Sequence, residues 1–420
     1  MKLAIISDTH FGDPMGTLVS YDSSNKPIVG PKYNVFREAA GKGNRYLILL
    51  GDIFDFSITS YSKAYEAGKV FFEQVKRDQI ADEMIYIPGN HDADFWHTVE
   101  YEVNVIRRIN QGKNPRDFRF SVPGFIDVRS NSQTSNDLIL PDVTEHDGTG
   151  PKYCGLFLDR ITEDPSYFNF AYPNVYMVTD NESVLITHGQ YFEQYWAFAS
   201  EWVTKLAPEA LEIGDQMDLK EMVGINFPLS QLAGSGIGQA GPFTKVVRKV
   251  QRDIKDGQLA DITGYLGRLD KEIDKQTQYP WYKQYLEWVT DVISCWARKK
   301  ILSGLKTVES TRFDEEFIHK KEVQKRVKDF YKASQIEIHR LNQSYPLNIP
   351  QPDTIIFGHT HQPISWGDKN APKAVVNDQS ISLYNTGGWL DRMEDGEIVF
   401  CGAEVFKYDS NKGFSSVRIE

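Results

Sequence analysis

The 420-residue sequence holds only three cysteines, Cys154, Cys295 and Cys401, and they lie far apart. No CxxC spacing suggests a zinc knuckle or a redox pair, and three thiols make a poor disulfide framework, so a reducing compartment is expected. No apolar run reaches the roughly 18 residues that a membrane-spanning helix needs. The opening MKLAIISDTH has an apolar stretch too short for the core of a signal peptide. A basic excess is also missing. There are 47 Lys and Arg against 58 Asp and Glu, a formal net charge of −11. A general nucleic-acid-binding surface is disfavoured, because phosphate contacts need clustered cations. There is no internal repeat. GSGIGQAG contains GxGxxG at Gly236, Gly238 and Gly241, but no strand precedes it and no acidic partner follows at the right place. It reads as a hinge rather than a dinucleotide site.

What is present can fill a sizeable core: 40% hydrophobic residues and 13% aromatics. The length suits one large domain with an insertion, or two domains. The first 100 residues alternate buried-strand runs (LAIIS, YLILL, MIYI) with helical patterns over Val35–Ala40 and Lys63–Gln79, the rhythm of an α/β fold. The stretch 112–175 is rich in Pro, Gly, Asn and Ser and reads largely as loop. VYMVTDNESVLIT, from Val175 to Thr187, predicts a hairpin turning at Asp180 and Asn181. From 197 to 350 the texture is helical and, over 205–345, slightly basic, with about 23 Lys and Arg against about 20 Asp and Glu. TIIFGH and SISLYN then restore strand texture, and the last 30 residues read as hairpins. WARKKILSGLK has the composition of a membrane-surface helix, although an ordinary amphipathic helix explains it as well. The expected location is cytoplasmic, with peripheral membrane contact as the variant.

Five apolar strands each deliver Asp, Asn or His just past their C-terminal ends. Asp8 and His10 follow LAIIS; Asp52 and Asp55 follow YLILL; Asn90, His91 and Asp92 follow MIYI; His188 follows VLIT; His359 and His361 follow TIIF. In open α/β sheets this edge is where ligand sites assemble. Seven of these residues are candidate metal ligands: Asp8, His10, Asp52, Asn90, His188, His359 and His361. That is enough for two ions about 3.5–4 Å apart sharing a carboxylate. Imidazole mixed with carboxylate and amide suits Mn above all, with Fe, Zn or Ni as substitutes, better than Ca or Mg. Asp92 reads as the cap of a following helix, and His97 as a helix residue. His146, His319 and His339 read as solvated.

The ordered set DTH, GDxxD, GNHD, HG and GHTH resembles the calcineurin-like metallophosphoesterase superfamily, over roughly 1–195 and 350–395. The resemblance implies a four-layer αββα sandwich. It implies one metal on Asp8, His10, Asp52 and His361 and another on Asp52, Asn90, His188 and His359, with Asp52 bridging. His91 would stand beside the scissile phosphate and Asp55 would orient it. The expected organisation is a core of 1–196 and 351–420 with a large α-helical insertion, 197–350, acting as a lid or interaction domain. Asp55 is followed by Phe56 and Ser57, unlike the DRG of protein Ser/Thr phosphatases. LYNTGGWL is similar to the closing segment of UDP-2,3-diacylglucosamine hydrolases and their relatives, which often carry Arg where His91 stands. The expected activity is metal-dependent hydrolysis of a phosphoester or pyrophosphate, on a phosphorylated small molecule or lipid-linked substrate. A silent metal-site scaffold that binds a protein, and a nuclease of the same superfamily, are the alternatives. A homodimer through the insert is the competing use of its helices.

Overall fold

Strand β1 (Lys2–Ile6) carries KLAII, and every residue from Leu3 onward is fully buried. Such a run turns no polar side to water, which suits a strand covered on both faces. The same pattern fills β4 (Asn44–Leu50) from Tyr46 and β5 (Ala81–Ile87) from Met84, and both run parallel to β1 as its successive neighbours. Helices α1 (Tyr33–Ala40) and α2 (Tyr61–Arg77) make the crossovers. In α2 the Ser60 side chain accepts the Lys63 N–H and caps the first turn, while Ala64, Ala67, Phe71, Phe72 and Val75 form a buried stripe at helical spacing.

This computed structural model describes residues 1–132, 136–143, 153–164, 167–206, 216–231, 316–394 and 397–420. The chain divides into two compact units, Met1–Gln239 with Glu315–Glu420, and Ala240–Asp314. The second unit lies outside the described residues, as do the glycine run 234–241, the basic segment 296–306 and the insert's Trp281, Tyr282, Tyr285, Trp288 and Trp296.

In the first unit, strands β2 (Val19–Tyr21) and β3 (Pro27–Val29) form a small antiparallel ribbon. After β5, α3 (Asp94–Tyr101) runs through a π turn into α4 (Arg107–Asn110). The loop-like stretch 112–175 contains β6 (Gly124–Asp127), α5 (Leu156–Thr162) and β7 (Phe168–Phe170). Strands β8 (Asn174–Val178) and β9 (Ser183–Thr187) form the expected hairpin. Helices α6 (Gln194–Leu206) and α7 (Leu219–Gln231) and a long helix, Lys321–Ser344, follow. Then come β10 (Thr354–Phe357), β11 (Lys373–Val376) and β12 (Gln379–Asn385). The chain ends in two hairpins, β13 (Asp391–Glu394) with β14 (Glu397–Phe400), and β15 (Ala403–Asp409) with β16 (Gly413–Ile419).

The strands build two six-stranded sheets, β16-β15-β1-β4-β5-β7 and β11-β12-β10-β9-β8-β6. Between them Leu3, Ile5, Ile48 and Ile85 join Val175, Met177, Ile186 and Ile356 in one core. The alternate residues Ala4, Ile6, Leu47 and Leu49 belong to a second core with Phe36, Phe71 and Phe72 of α1 and α2. Leu185 and Ile355 join the same core with Val327, Phe330 and Tyr331 of the long helix. The layers are therefore helix, sheet, sheet, helix, the expected α/β sandwich. The long helix is pinned by a buried polar group as well: Tyr176 Oη and Ser121 Oγ each donate to Glu337, at 2.8 Å. Among the described residues no helix is long and apolar enough to cross a membrane.

Candidate active site

All ten residues singled out at the strand ends are buried and lie at one edge of the sandwich. Close backbone approach makes this packing possible. A Cβ on Gly358 would collide with Ser7 and Asp8, and one on Gly89 with Asp52 and His188. Asp8, His10, Asp52, His359 and His361 all hold left-handed backbone, with φ between 46° and 70°. Asp and His tolerate that region better than most residues, but each instance still carries strain.

Asp8, His10 and His361 form one group of potential ligands, and Asp52, His188 and His359 form another. In the first, the Nε2 atoms of His10 and His361 are 3.2 Å apart, and Asp8 Oδ1 lies 3.2 Å from His361 Nε2. In the second, His188 Nε2 lies 3.2 Å from Asn90 Oδ1 and 3.2 Å from Asp52 Oδ2. That same Asp52 Oδ2 is 4.0 Å from His10 Nε2, so it reaches towards both groups.

The far sides of Asp52, Asp8, His188 and His10 are held. The His91 backbone N–H donates to Asp52 Oδ1 at 2.7 Å, leaving Oδ2 for the site. The His359 backbone N–H and the Ser7 hydroxyl both donate to Asp8 Oδ2, leaving Oδ1. His188 Nδ1 donates to the Leu50 carbonyl at 2.8 Å, which points Nε2 inward. Asp55 serves two rings: His10 Nδ1 donates to Oδ2 at 2.8 Å and His91 Nδ1 to Oδ1 at 3.0 Å. The Asp55 carboxylate thus joins the His10 and His91 rings.

Asp92 corrects its expectation. Helix α3 has Ala93 at its N-cap and no side-chain cap. The Asp92 carboxylate turns inward and accepts the backbone N–H groups of Gly89 at 2.6 Å and Ile53 at 2.8 Å, together with the Tyr86 hydroxyl. Three donors converging on a buried carboxylate outweigh the single capping bond a surface turn would offer. Asp92 thereby ties the β5 loop to the β4 loop that presents Asp52. His97 lies on α3 as expected, its ring near those of Phe118 and Phe227.

Charge at this edge is strongly coupled. Burial opposes ionisation of Asp8, yet the neighbouring imidazoles of His10 and His361 hold its carboxyl well below the usual range. Asp52 and Asp55 are likewise held low against burial, Asp52 by the charges of His188 and His91 and Asp55 by His91 and His10. Burial disfavours charge on His10 too, but bonds to Asp55 and Asp8 raise it to about 10, and the Asp52 charge raises His188 to about 9. Asp92 is pushed up to about 6 by burial and by the neighbouring Asp52 charge. Several buried carboxylates facing imidazoles make an environment that a divalent cation suits. The donor set fits such an ion in a second way. Among the described residues, Asp8 Oδ1 is at ion-pair distance from His361 but forms no hydrogen bond of proper geometry, and His359 Nδ1 has no hydrogen-bond partner.

A buried cluster of His, Asp and Asn at converging strand ends of an αββα sandwich could hold divalent metal. Residues 1–205 match the family model of the calcineurin-like phosphoesterases. The match spans the ends of β1, β4, β5 and β9; His359 and His361 lie beyond it. The comparison with curated proteins gives no match. One buried acidic group here escapes sequence reading. Glu193 Oε2 lies 2.7 Å from His359 Nε2. Its only signal is a carboxylate five positions after His188, in HGQYFE, and no motif marks it.

Proposed function

We propose that the chain is a dinuclear metal-dependent phosphoesterase, cleaving a phosphodiester or pyrophosphate. The carrying observation is Asp52: one carboxylate oxygen is tied down by the His91 backbone and the other reaches both ligand groups. Asp8, His10, Asp52 and His361 would hold one ion, and Asp52, Asn90, His188 and His359 the other. When bound, such a pair supplies Lewis acidity, a nucleophile from water near neutral pH and countercharge for the phosphoryl oxygens. Asp55 fixes the His91 ring through Nδ1, so Nε2 is the atom that can meet a leaving oxygen and give it a proton. A scaffold needs no such oriented imidazole outside the ligand set, which favours the enzyme over the binding protein.

Mn is the metal this donor set favours, with Fe, Zn or Ni as substitutes. The segment 197–350 leaves the chain after His188 and returns before His359, so its ends are fixed beside ligand loops. It suits a lid that selects a bulky, partly apolar substrate. Its long helix packs into the sandwich core, so the informative deletion removes only 240–314. That variant should keep its metals and cleave a small activated ester while losing the natural substrate.

The test of the function is a substrate panel with Mn(II): phosphomonoesters, diesters, cyclic nucleotides and nucleotide-linked pyrophosphates. Turnover of diesters or pyrophosphates supports the reading. Metal uptake with no hydrolysis of any class would turn the assignment to the scaffold.

A further inference from the structure

Glu193 ends the 3-10 turn Gln190–Phe192 and directly precedes α6. It is 5% exposed, and its Oε2 stands 2.7 Å from His359 Nε2. A carboxylate can only accept, so the proton in this bond sits on Nε2. The lone pair of the neutral ring is then on Nδ1, the buried nitrogen with no hydrogen-bond partner among the described residues. His188 is arranged in the opposite sense: its Nδ1 donates to Leu50 and its Nε2 faces Asn90 and Asp52. The two rings, 5.3 Å apart and steeply inclined, therefore present different nitrogens to the same group.

We propose that Glu193 is a positioning residue for the metal centre, holding His359 in the tautomer and orientation that offer Nδ1 to the ion shared with Asp52, Asn90 and His188. The inference rests on the dinuclear reading above. Carboxylates behind ligating imidazoles fix the tautomer and raise the basicity of the ligand, and their loss commonly lowers metal affinity about 10–100-fold. The carboxylate also enters the site from the turn that directly precedes α6, so the lead-in to the helical segment takes part in shaping the centre.

The experiment titrates Mn(II) into metal-stripped full-length protein and follows uptake by calorimetry and by the spin-coupled signal of a Mn pair. Glu193→Ala should weaken one of two equivalents about 10–100-fold and diminish the coupled signal, leaving the other equivalent near the wild-type affinity. Glu193→Gln, whose amide oxygen accepts the same bond, should recover part of that loss. Glu193→Ala combined with His359→Ala should be no worse than His359→Ala alone. Wild-type-like uptake by Glu193→Ala, or losses that add in the double variant, overturns the proposal while leaving the dinuclear reading standing. Absence of Mn(II) uptake by the wild type overturns both. Should the alanine variant fail to fold, nitrogen-15 spectra of the wild-type protein loaded with Zn(II) decide. Zinc on Nδ1 of His359 with a proton on Nε2 is expected, and zinc on Nε2 overturns the assignment.

Discussion

The first sheet, through β1, β4 and β5, supplies Asp8, His10, Asp52, Asp55, Asn90 and His91, whereas the second, through β9 and β10, supplies only the imidazoles of His188, His359 and His361. The carboxylates thus come from one sheet, and most of the neutral donors that complete their shells come from the other. The acids stay ionised although buried because imidazoles of both sheets, His10 and His91 from the first and His188 and His361 from the second, offset desolvation. The division also means that neither sheet alone offers a complete ligand set. An ion bound here grips both sheets, and breaking either half should be felt in the other.

The largest effect is expected at the residue facing both ligand groups. Asp52→Asn should lower uptake at both metal positions together and abolish turnover, as read by metal analysis of protein prepared without chelator. Loss of a single equivalent would show that the halves are independent. Next in size is His91→Ala, which should cost about 10²–10⁴-fold in turnover with metal content unchanged. A vacated metal position would make His91 a ligand and move the division between binding and proton transfer.

A third effect tests the grip itself. Free Mn(II) at about 100 times its Kd should stabilise the protein by about 2.7 kcal/mol per site. Thermal melts with and without chelator should show it, and Asp52→Asn should erase most of the difference. An unchanged melt in the wild type would mean that the ions do not join the sheets energetically.

The smallest effect concerns a buried carboxylate with no imidazoles around it. Burial pushes Glu100 up to about 7, although Arg119 and Asn104 work against the rise. Because its folded value exceeds the ordinary 4.5, the native state holds the extra proton between those values. Stability from this group is therefore full below about pH 4.5 and declines as pH rises through 7. Glu100→Gln keeps the shape without the charge. It should match wild type near pH 4.5 and exceed it above pH 7, by at most about 3 kcal/mol. Denaturant melts across that range, taken as the difference between the two proteins, measure it. A constant difference would place the slope elsewhere.

Strands buried on both faces were legible because long apolar runs such as YLILL admit few other readings, and the polar residues that end them stand out. Hence β1, β4, β5, β9 and β10, and the residues they deliver to one edge, follow from local pattern. Strands β6 and β7 did not, since four and three residues between glycine- and proline-rich turns carry too little periodicity. The inward turn of Asp92 depends on backbone donors some 40 positions away, at Ile53. The pairing of Glu193 with His359 joins residues 166 positions apart, as the bond from His10 to Asp55 joins residues 45 apart. Helical and strand periods report which face a residue occupies, and they carry no information about which distant group it meets there.

Strand β1 is flanked in its sheet by β4 and by β15, and β9 is flanked by β8 and by β10. A ribosome therefore releases one edge of each sheet early and the strand that covers it late. At about 5–20 residues per second, β1 waits on the order of 20–80 s for β15, and for that interval an apolar strand offers its backbone to any passing chain. Residues 10 and 361 must both have emerged before the first group of ligands can close. Metal loading would thus be a late event in the life of each molecule, and a nascent chain stalled inside the insertion would carry two uncovered edges and a site without His359 and His361.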